Sequence, residues 1–490
     1  METARVLFAW SVSSSPRRVS GVRVRAMHGC AAVDTPLRPA EEASTTGWLR
    51  SARIQAVLLG LVFFCVPGMW NSITSMAGGL TDPTAASAAT AALYGTFGVT
   101  SMLSPLATNV IGPRATLFVG ALCYIFYIVA LLLYSKGAAS AAVVVMCGVV
   151  NGVGAGLVWT AQGMLMLSHP TPQTNGSFVA TFWLVFQSGA VLGGFLSLGL
   201  NFNDKAPDVS AGTYIAYMVV MLVGAAVVLL LQPLDRVVRP DGSRVPPTPP
   251  VPVYAELRAM GAMCVDGRIL PLLPYFVYSN WFYAYQFDCY NKQLFDARTQ
   301  GFNNALYWAA GMGGAFAIGH YLDHSRRPLR ARAAASLVAI AVLSLGAWGA
   351  GVYVNYAHDL DHAAPHGDFI SDTGAWAGPA ALFVAWGGID SMAQCWIYWM
   401  MGQLDESPLV LSRFVGVYKG VQSFGGAAAW ALSATYSPGS VGGVLPSVQV
   451  WLNVALFLVA LPPAALAVSR ASALGSQASD GALIVNTERT

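Results

Sequence analysis

Charge is what this chain has least of. Only 10% of its 490 residues are charged, against about 25% in an ordinary soluble domain, and mean hydropathy is +0.55. Such a chain is too apolar to dissolve in water as a monomer. A net charge of only +3 offers no electrostatic footing for nucleic acid. Cysteine is equally uninformative: Cys30, Cys65, Cys123, Cys147, Cys264, Cys289 and Cys395 include no CxxC pair, and five of them fall in apolar runs. They read as small core residues, so neither a disulfide framework nor a thiolate metal site is expected. GxSxG and Walker-type phosphate loops are absent, and no enzyme chemistry or cofactor is expected. The segment HDLDHAAPHGDFISD sets His358 and His362 four apart among acids. It reads as a solvated acidic loop.

Long apolar runs are what the chain has in quantity. A bilayer core of about 30 Å asks for roughly 20 apolar residues per helix. Runs of that kind fall near 54–76, 86–109, 114–134, 138–166, 176–201 and 212–231, then near 270–291, 302–322, 331–355, 374–401, 410–434 and 446–468. The expected fold is an all-α polytopic membrane protein with twelve transmembrane helices in two six-helix halves, 54–231 and 270–468. Between them, 232–269 contains PDGSRVPPTPPVPV, whose prolines favour an extended linker. Residues 1–53, rich in arginine and serine, and residues 469–490 read as disordered tails.

Arginine sets the orientation. With the N-terminus inside, every arginine except Arg298 falls on the inner side, while the outer loops hold Arg298, Lys136, Lys205 and Lys292. The positive-inside rule then places both termini and the linker in the cytoplasm. The sequon Asn175-Gly176-Ser177 falls in an inner loop and is expected to stay unglycosylated.

The halves echo one another. SPLATNVIGPRA after span 2 aligns with GHYLDHSRRPLRAR after span 8, on Pro113 and Pro328. FVATFWLVFQSG in span 5 aligns with FVGVYKGVQSFG in span 11. Parallel six-helix repeats of this kind are the plan of major facilitator transporters. GHYLDHSRR resembles the loop signature of that superfamily, filled here by Gly319, Asp323, Arg326 and Arg327. The resemblance implies a cluster that ties neighbouring helices at the cytoplasmic face and helps set the inward/outward equilibrium. The first-half copy departs from it, with Ser104 for the glycine and Thr108 for the aspartate.

A narrower resemblance runs over residues 54–435. FWLVFQSGAVLGG (182–194), RPDGSRV (239–245), SNWFYAYQF (279–287), FNNALYW (302–308), PLRARAA (328–334) and YKGVQSFGGAA (418–428) are similar, in order, to the fungal-type Unc-93-like family, the DUF895-type membrane proteins. Asp288 is a departure, since that family often has asparagine there. The resemblance implies a major facilitator fold, and either transport or, as in animal relatives, regulation of a potassium channel or escort of a membrane receptor.

Apart from arginines at the inner ends, the charges inside the spans are Asp288, Asp390 and Lys419. Ionisable groups in a membrane are expensive and are functional candidates by default. Asp390 follows Gly387 and Gly388, which allow close approach of another helix. Lys419 lies roughly 10 Å from it in depth at 1.5 Å per residue, so direct pairing needs side-chain reach or water. Asp288 shares a helical face with Tyr285, Ala284 and Trp281, with Asn280 and Gln286 beside it, at the outer mouth. That stripe reads as an aromatic vestibule or as an interfacial belt. Gln394 and Gln422 beside the charged pair, and Gln187 and Asn71 in the uncharged N-terminal half, complete the pathway candidates. The expected partners are the lipid bilayer, a small solute with a proton or potassium as coupling ion, and for the alternative reading a membrane-protein partner. The membrane itself, plasma membrane or vacuolar and endomembrane, is left open.

Overall fold

A computed structural model describes residues 47–74, 83–201, 211–245, 251–362, 367–435 and 443–487. Most of the N-terminal tail therefore lies outside the described residues, as does part of the acidic loop. Among the described residues the regular structure is helical, apart from isolated bridges such as Ser51 with Val238 and Val238 with Arg244. Helices are what apolar segments must form in lipid, because each backbone N–H and C=O has to find its partner within the segment.

The N-terminal half comprises α1 (Ala52–Cys65), α2 (Pro67–Thr74), α3 (Pro83–Ser135), α4 (Ala141–Ser168), α5 (Asn175–Asn201) and α6 (Ala211–Val228). The first expected span is broken at Pro67, which has no N–H to continue the helical ladder and so opens α2. The second and third spans fall within one 53-residue helical stretch, α3, turned at Gly112 with φ +80°. Only glycine takes that conformation without a Cβ penalty, and Pro113 starts the outgoing arm. The turn is fastened by Arg114, whose guanidinium donates to the Leu229 carbonyl at 2.6 Å.

The linker departs from expectation. It is not wholly extended: α7 (Val253–Met263) forms within it. Its inner face carries Glu256, Met260 and Met263 at helical spacing. Buried Glu256 receives Arg413 Nε at 2.9 Å and Nη2 at 2.6 Å. Arg268, just past α7, bonds Asp266 at 2.8 Å and Asp405 at 3.0 Å, and holds the Asp266 carboxyl below its usual range.

The C-terminal half holds α8 (Leu273–Ala284), a π-helical stretch Tyr285–Asn291, α9 (Lys292–Leu294), α10 (Ala297–His324), α11 (Leu329–Ala357), α12 (Thr373–Leu404), α13 (Pro408–Ala434) and α14 (Pro446–Thr487). Helix α14 continues to Thr487, through most of the residues assigned from sequence to a disordered tail. Seven stretches among the described residues are long and apolar enough to cross a membrane. The long helices α10, α12 and α13 are not among them; α12 and α13 carry the buried charges Asp390 and Lys419.

The halves meet along two seams, α5 against α10 and α3 against α13. Glycines make both possible. A Cβ on Gly319 would press on Ala180 and the Gly176 backbone, and one on Gly416 would meet Ser101 and Pro105. Gly387 lets α12 lie against the Tyr307 backbone of α10, the close approach its sequence context implies.

Candidate functional site

Between the seams lies a cavity lined from both halves. It leaves about 70 Å³ for the centres of water-sized molecules, room for a few waters at ~10–15 Å³ each. The N-terminal half contributes mostly rings: Tyr94 and Phe97 from α3, Trp159 from α4, Trp183 and Phe186 from α5. They support each other edge to face, as between Trp159 and Phe186 with centroids 5.4 Å apart. The C-terminal half contributes Asn280 and Tyr283 from α8, Trp308 from α10, Gln394 from α12, and Lys419 and Gln422 from α13.

Those C-terminal groups are one hydrogen-bonded relay. Asp390, 3% exposed, receives the Tyr283 hydroxyl on Oδ2 at 2.6 Å and Gln394 Nε2 on Oδ1 at 3.3 Å. Gln394 also donates to the Ser279 carbonyl at 3.1 Å. Its Oε1 accepts from the Tyr418 hydroxyl and from Gln422 Nε2, the latter at 3.2 Å. Gln422 Nε2 lies 2.9 Å from Ser279 Oγ, and its Oε1 accepts from Lys419 Nζ at 2.8 Å. Helix geometry makes this possible: Asp390 and Gln394 are i,i+4 on α12, and Lys419 and Gln422 are i,i+3 on α13. The direct ion pair considered from sequence is replaced by two bridging glutamines. A carboxylate and an ammonium are thus buried in one network without touching, where each is stabilised by dipoles and each remains open to exchange of partner.

The Lys419 ammonium sits 4.5 Å from the Trp159 ring centroid, 4.7 Å from Tyr418 and 5.3 Å from Tyr398. A cation over several ring faces recovers part of its lost hydration through their quadrupoles. Trp159 belongs to the other half, so the lysine spans the interface. Tyr398 in turn reaches Gln162 of α4 at 3.4 Å.

Of the remaining candidates, Asn71 and Asn280 line the cavity. Gln187 is not a lining residue; it donates to Ser391 Oγ at 2.6 Å, next to Asp390 in sequence. The three residues of the aromatic stripe have separate surroundings. Tyr285 is turned into the core, its hydroxyl on Asn355 Oδ1 at 3.2 Å. Asp288 binds Ser433 Oγ at 3.1 Å and Lys292 Nζ at 3.8 Å, and Trp281 is half-buried. None of the three lines the cavity. The 100° per residue that would put Asp288 on one face with Tyr285 and Trp281 does not hold through the π-helical turn 285–291.

Asp323 lies at the end of the α5/α10 seam. Its carboxylate accepts the backbone N–H of Gly176 at 2.8 Å and of Ser177 at 2.6 Å, the first turn of α5. It thus caps unsatisfied donors at the positive end of a helix belonging to the other half. No ion pair joins it to Arg326 or Arg327 among the described residues. Tyr283, Tyr418, Ser279 and Trp308 were not singled out in the sequence, where a tyrosine or tryptophan within an apolar run carries no sign of its partner.

A family model for the ion channel regulatory protein UNC-93 matches residues 79–294. UNC93-like protein 1 of Arabidopsis thaliana is 38% identical over 78% of this chain and 84% of its own length. An UNC93-like protein of Schizosaccharomyces pombe is 31% identical over 79% of this chain and 78% of its own. The solved structure of the major facilitator superfamily proton:xylose symporter XylE superposes with a TM-score of 0.56 at 11% identity, covering 85% of this chain and 95% of that one. At that identity the likeness concerns the fold.

Proposed function

The chain belongs to the UNC93-like family, and from that premise we propose that it is a secondary transporter of a small solute. Its two six-helix halves, twelve spans with both termini in the cytoplasm, rock about the central cavity in this reading. The observation that carries it is the buried Asp390–Gln394–Gln422–Lys419 relay at a cavity walled by both halves. A carboxylate held by neutral donors is a natural place for a proton or a small cation to come and go. Gain or loss of one charge there biases a two-state equilibrium by its differential interaction with the two states. Asp323 acts as the latch that favours closure at the cytoplasmic end. Arg326 and Arg327 stand by it at the membrane surface.

The test is reconstitution into liposomes. Asp390→Asn is expected to abolish ion-driven accumulation of substrate while leaving substrate exchange in place. Loss of both together, in a variant that folds, would sink the coupling role.

One observation favours a second reading. Thr108 stands where the first-half latch needs an aspartate, and the matched family model describes a channel regulator. A regulatory or trafficking subunit would keep the fold and dispense with rocking. In that case Asp390→Asn should still fold and assemble with its membrane-protein partner, since the group lies inside the bundle.

A further inference from the structure

Donors and acceptors are unevenly divided on the cavity wall. Lys419 is the one charged side chain among the described lining residues. One of its N–H groups goes to Gln422, and the others face rings rather than oxygens. The indole N–H groups of Trp183 and Trp308 are buried without an acceptor. The side-chain amide of Asn151 is buried with neither its N–H nor its C=O partnered. All three line the cavity, two from the N-terminal half and one from the C-terminal half. Other indole N–H groups without an acceptor, of Trp386, Trp399 and Trp430, lie away from this cavity, whereas those of Trp183 and Trp308 and the Asn151 amide border free space in which a guest can meet them.

The charge of that guest is set by the groups around the donors. Rings suit cations, but the rings nearest the relay are already taken by the lysine ammonium. Asp390 is not itself a lining residue: it stands behind Tyr283 and Gln394, so a guest in the cavity meets the relay at Lys419. A neutral guest leaves the ammonium with one amide oxygen. An acceptor-rich anion satisfies the ammonium and the indole and amide donors together. Tyr94, Phe97 and Phe186 provide apolar faces for the remainder. The cavity is small, about 70 Å³ for the centres of water-sized molecules, so the guest it suits is a compact one.

We infer that the cavity binds a small organic monoanion, a carboxylate on a planar or apolar body, with Lys419 and the indole and amide N–H groups receiving its oxygens. This deepens the transporter reading and rests on it for the step from binding to passage.

Three isosteric probes test it: benzoate, benzyl alcohol and benzylammonium, added to the full chain in nanodiscs and followed by quenching of tryptophan fluorescence. Benzoate is expected to bind saturably and benzylammonium not to bind. Lys419→Gln should weaken benzoate by about tenfold or more, as loss of a charge-assisted hydrogen bond does, and Lys419→Arg should restore most of that loss. Trp308→Phe, which keeps a ring and removes one donor, should weaken it by about threefold and serves if Lys419→Gln does not fold. Benzylammonium or benzyl alcohol binding as tightly as benzoate overturns the anionic class and leaves a carrier in place. Benzoate that fails to bind, or binds regardless of both substitutions, overturns the site. Benzoate that binds as expected yet never crosses a proteoliposome membrane upholds the site and removes the carrier.

Discussion

At the end of α10, Asp323 takes two backbone N–H groups from the first turn of α5 at 2.8 and 2.6 Å. At the corresponding place along α3, Thr108 offers a hydroxyl, 3.3 Å from Ser412 near the start of α13. One junction between the halves is a charged clasp across a helix terminus. The other, by itself, is a pair of hydroxyls. The linker makes up the difference. Asn109, next to Thr108, exchanges two hydrogen bonds with the Val251 backbone, at 2.7 and 3.2 Å. Further along the linker, Glu256 binds Arg413 of α13 with both carboxylate oxygens. A third element thus ties α3 to α13 where Thr108 supplies no carboxylate. Two seams between long helices can therefore be closed by different chemistry, as long as each is fastened.

The largest expected effect is on that third element. Glu256 is fully buried, and removing one partner of a buried ion pair costs ~3–5 kcal/mol because the other is left uncompensated. Arg413→Ala should therefore lower the thermal midpoint sharply, and Glu256→Gln with Arg413→Met should recover much of the loss. If the single variant melts with the native protein, the linker is not what fastens the second junction.

Asp323→Asn should act next in size. It keeps the shape and discards the charge at a helix terminus, an effect of ~1–2 kcal/mol. The outcome to measure is labelling of Thr171→Cys, at the same end of the molecule, by a maleimide in a background free of reactive cysteine. Labelling should rise. Thr108→Asp, placed near the start of α13, should lower it by a smaller amount. Unchanged accessibility in both variants removes the clasp from the account.

The smallest expected effect is none at all. Asn175 is 1% exposed, and its amide donates to the Trp399 carbonyl at 3.4 Å. Asn175→Gln should leave glycosidase sensitivity unchanged, with no mass shift before or after. The orientation is read independently from impermeant labelling of His358→Cys, which is exposed. Labelling from the cytoplasmic side would invert the topology.

The helices were legible because an apolar run of about 20 residues in lipid has few alternatives. Asp390 and Lys419 were legible because charge inside such a run has to be explained. Their partners were not. Ser279, Tyr283 and Tyr418 come from α8 and α13, and only packing brings them to Gln394 and Asp390. The unpaired indoles of Trp183 and Trp308 are likewise a property of the assembled wall. Helix α7 did leave a signal: Glu256, Met260 and Met263 stand at i, i+4 and i+7, a pattern outweighed by the neighbouring prolines.

The π-helical turn at Tyr285–Asn291 has one more implication. Such a turn amounts to an α-helix carrying a surplus residue, and proteins favour it near functional walls. Upstream, Asn280 and Tyr283 face the cavity; within the turn, Asp288 faces Ser433 and Lys292. Removing one residue would return the segment to ordinary winding and rotate the downstream residues by about 100°. A substitution at Phe287 alters one contact. A deletion there re-aims every contact from Asp288 to Leu294 together, so this part of the molecule is more sensitive to its length than to its spelling.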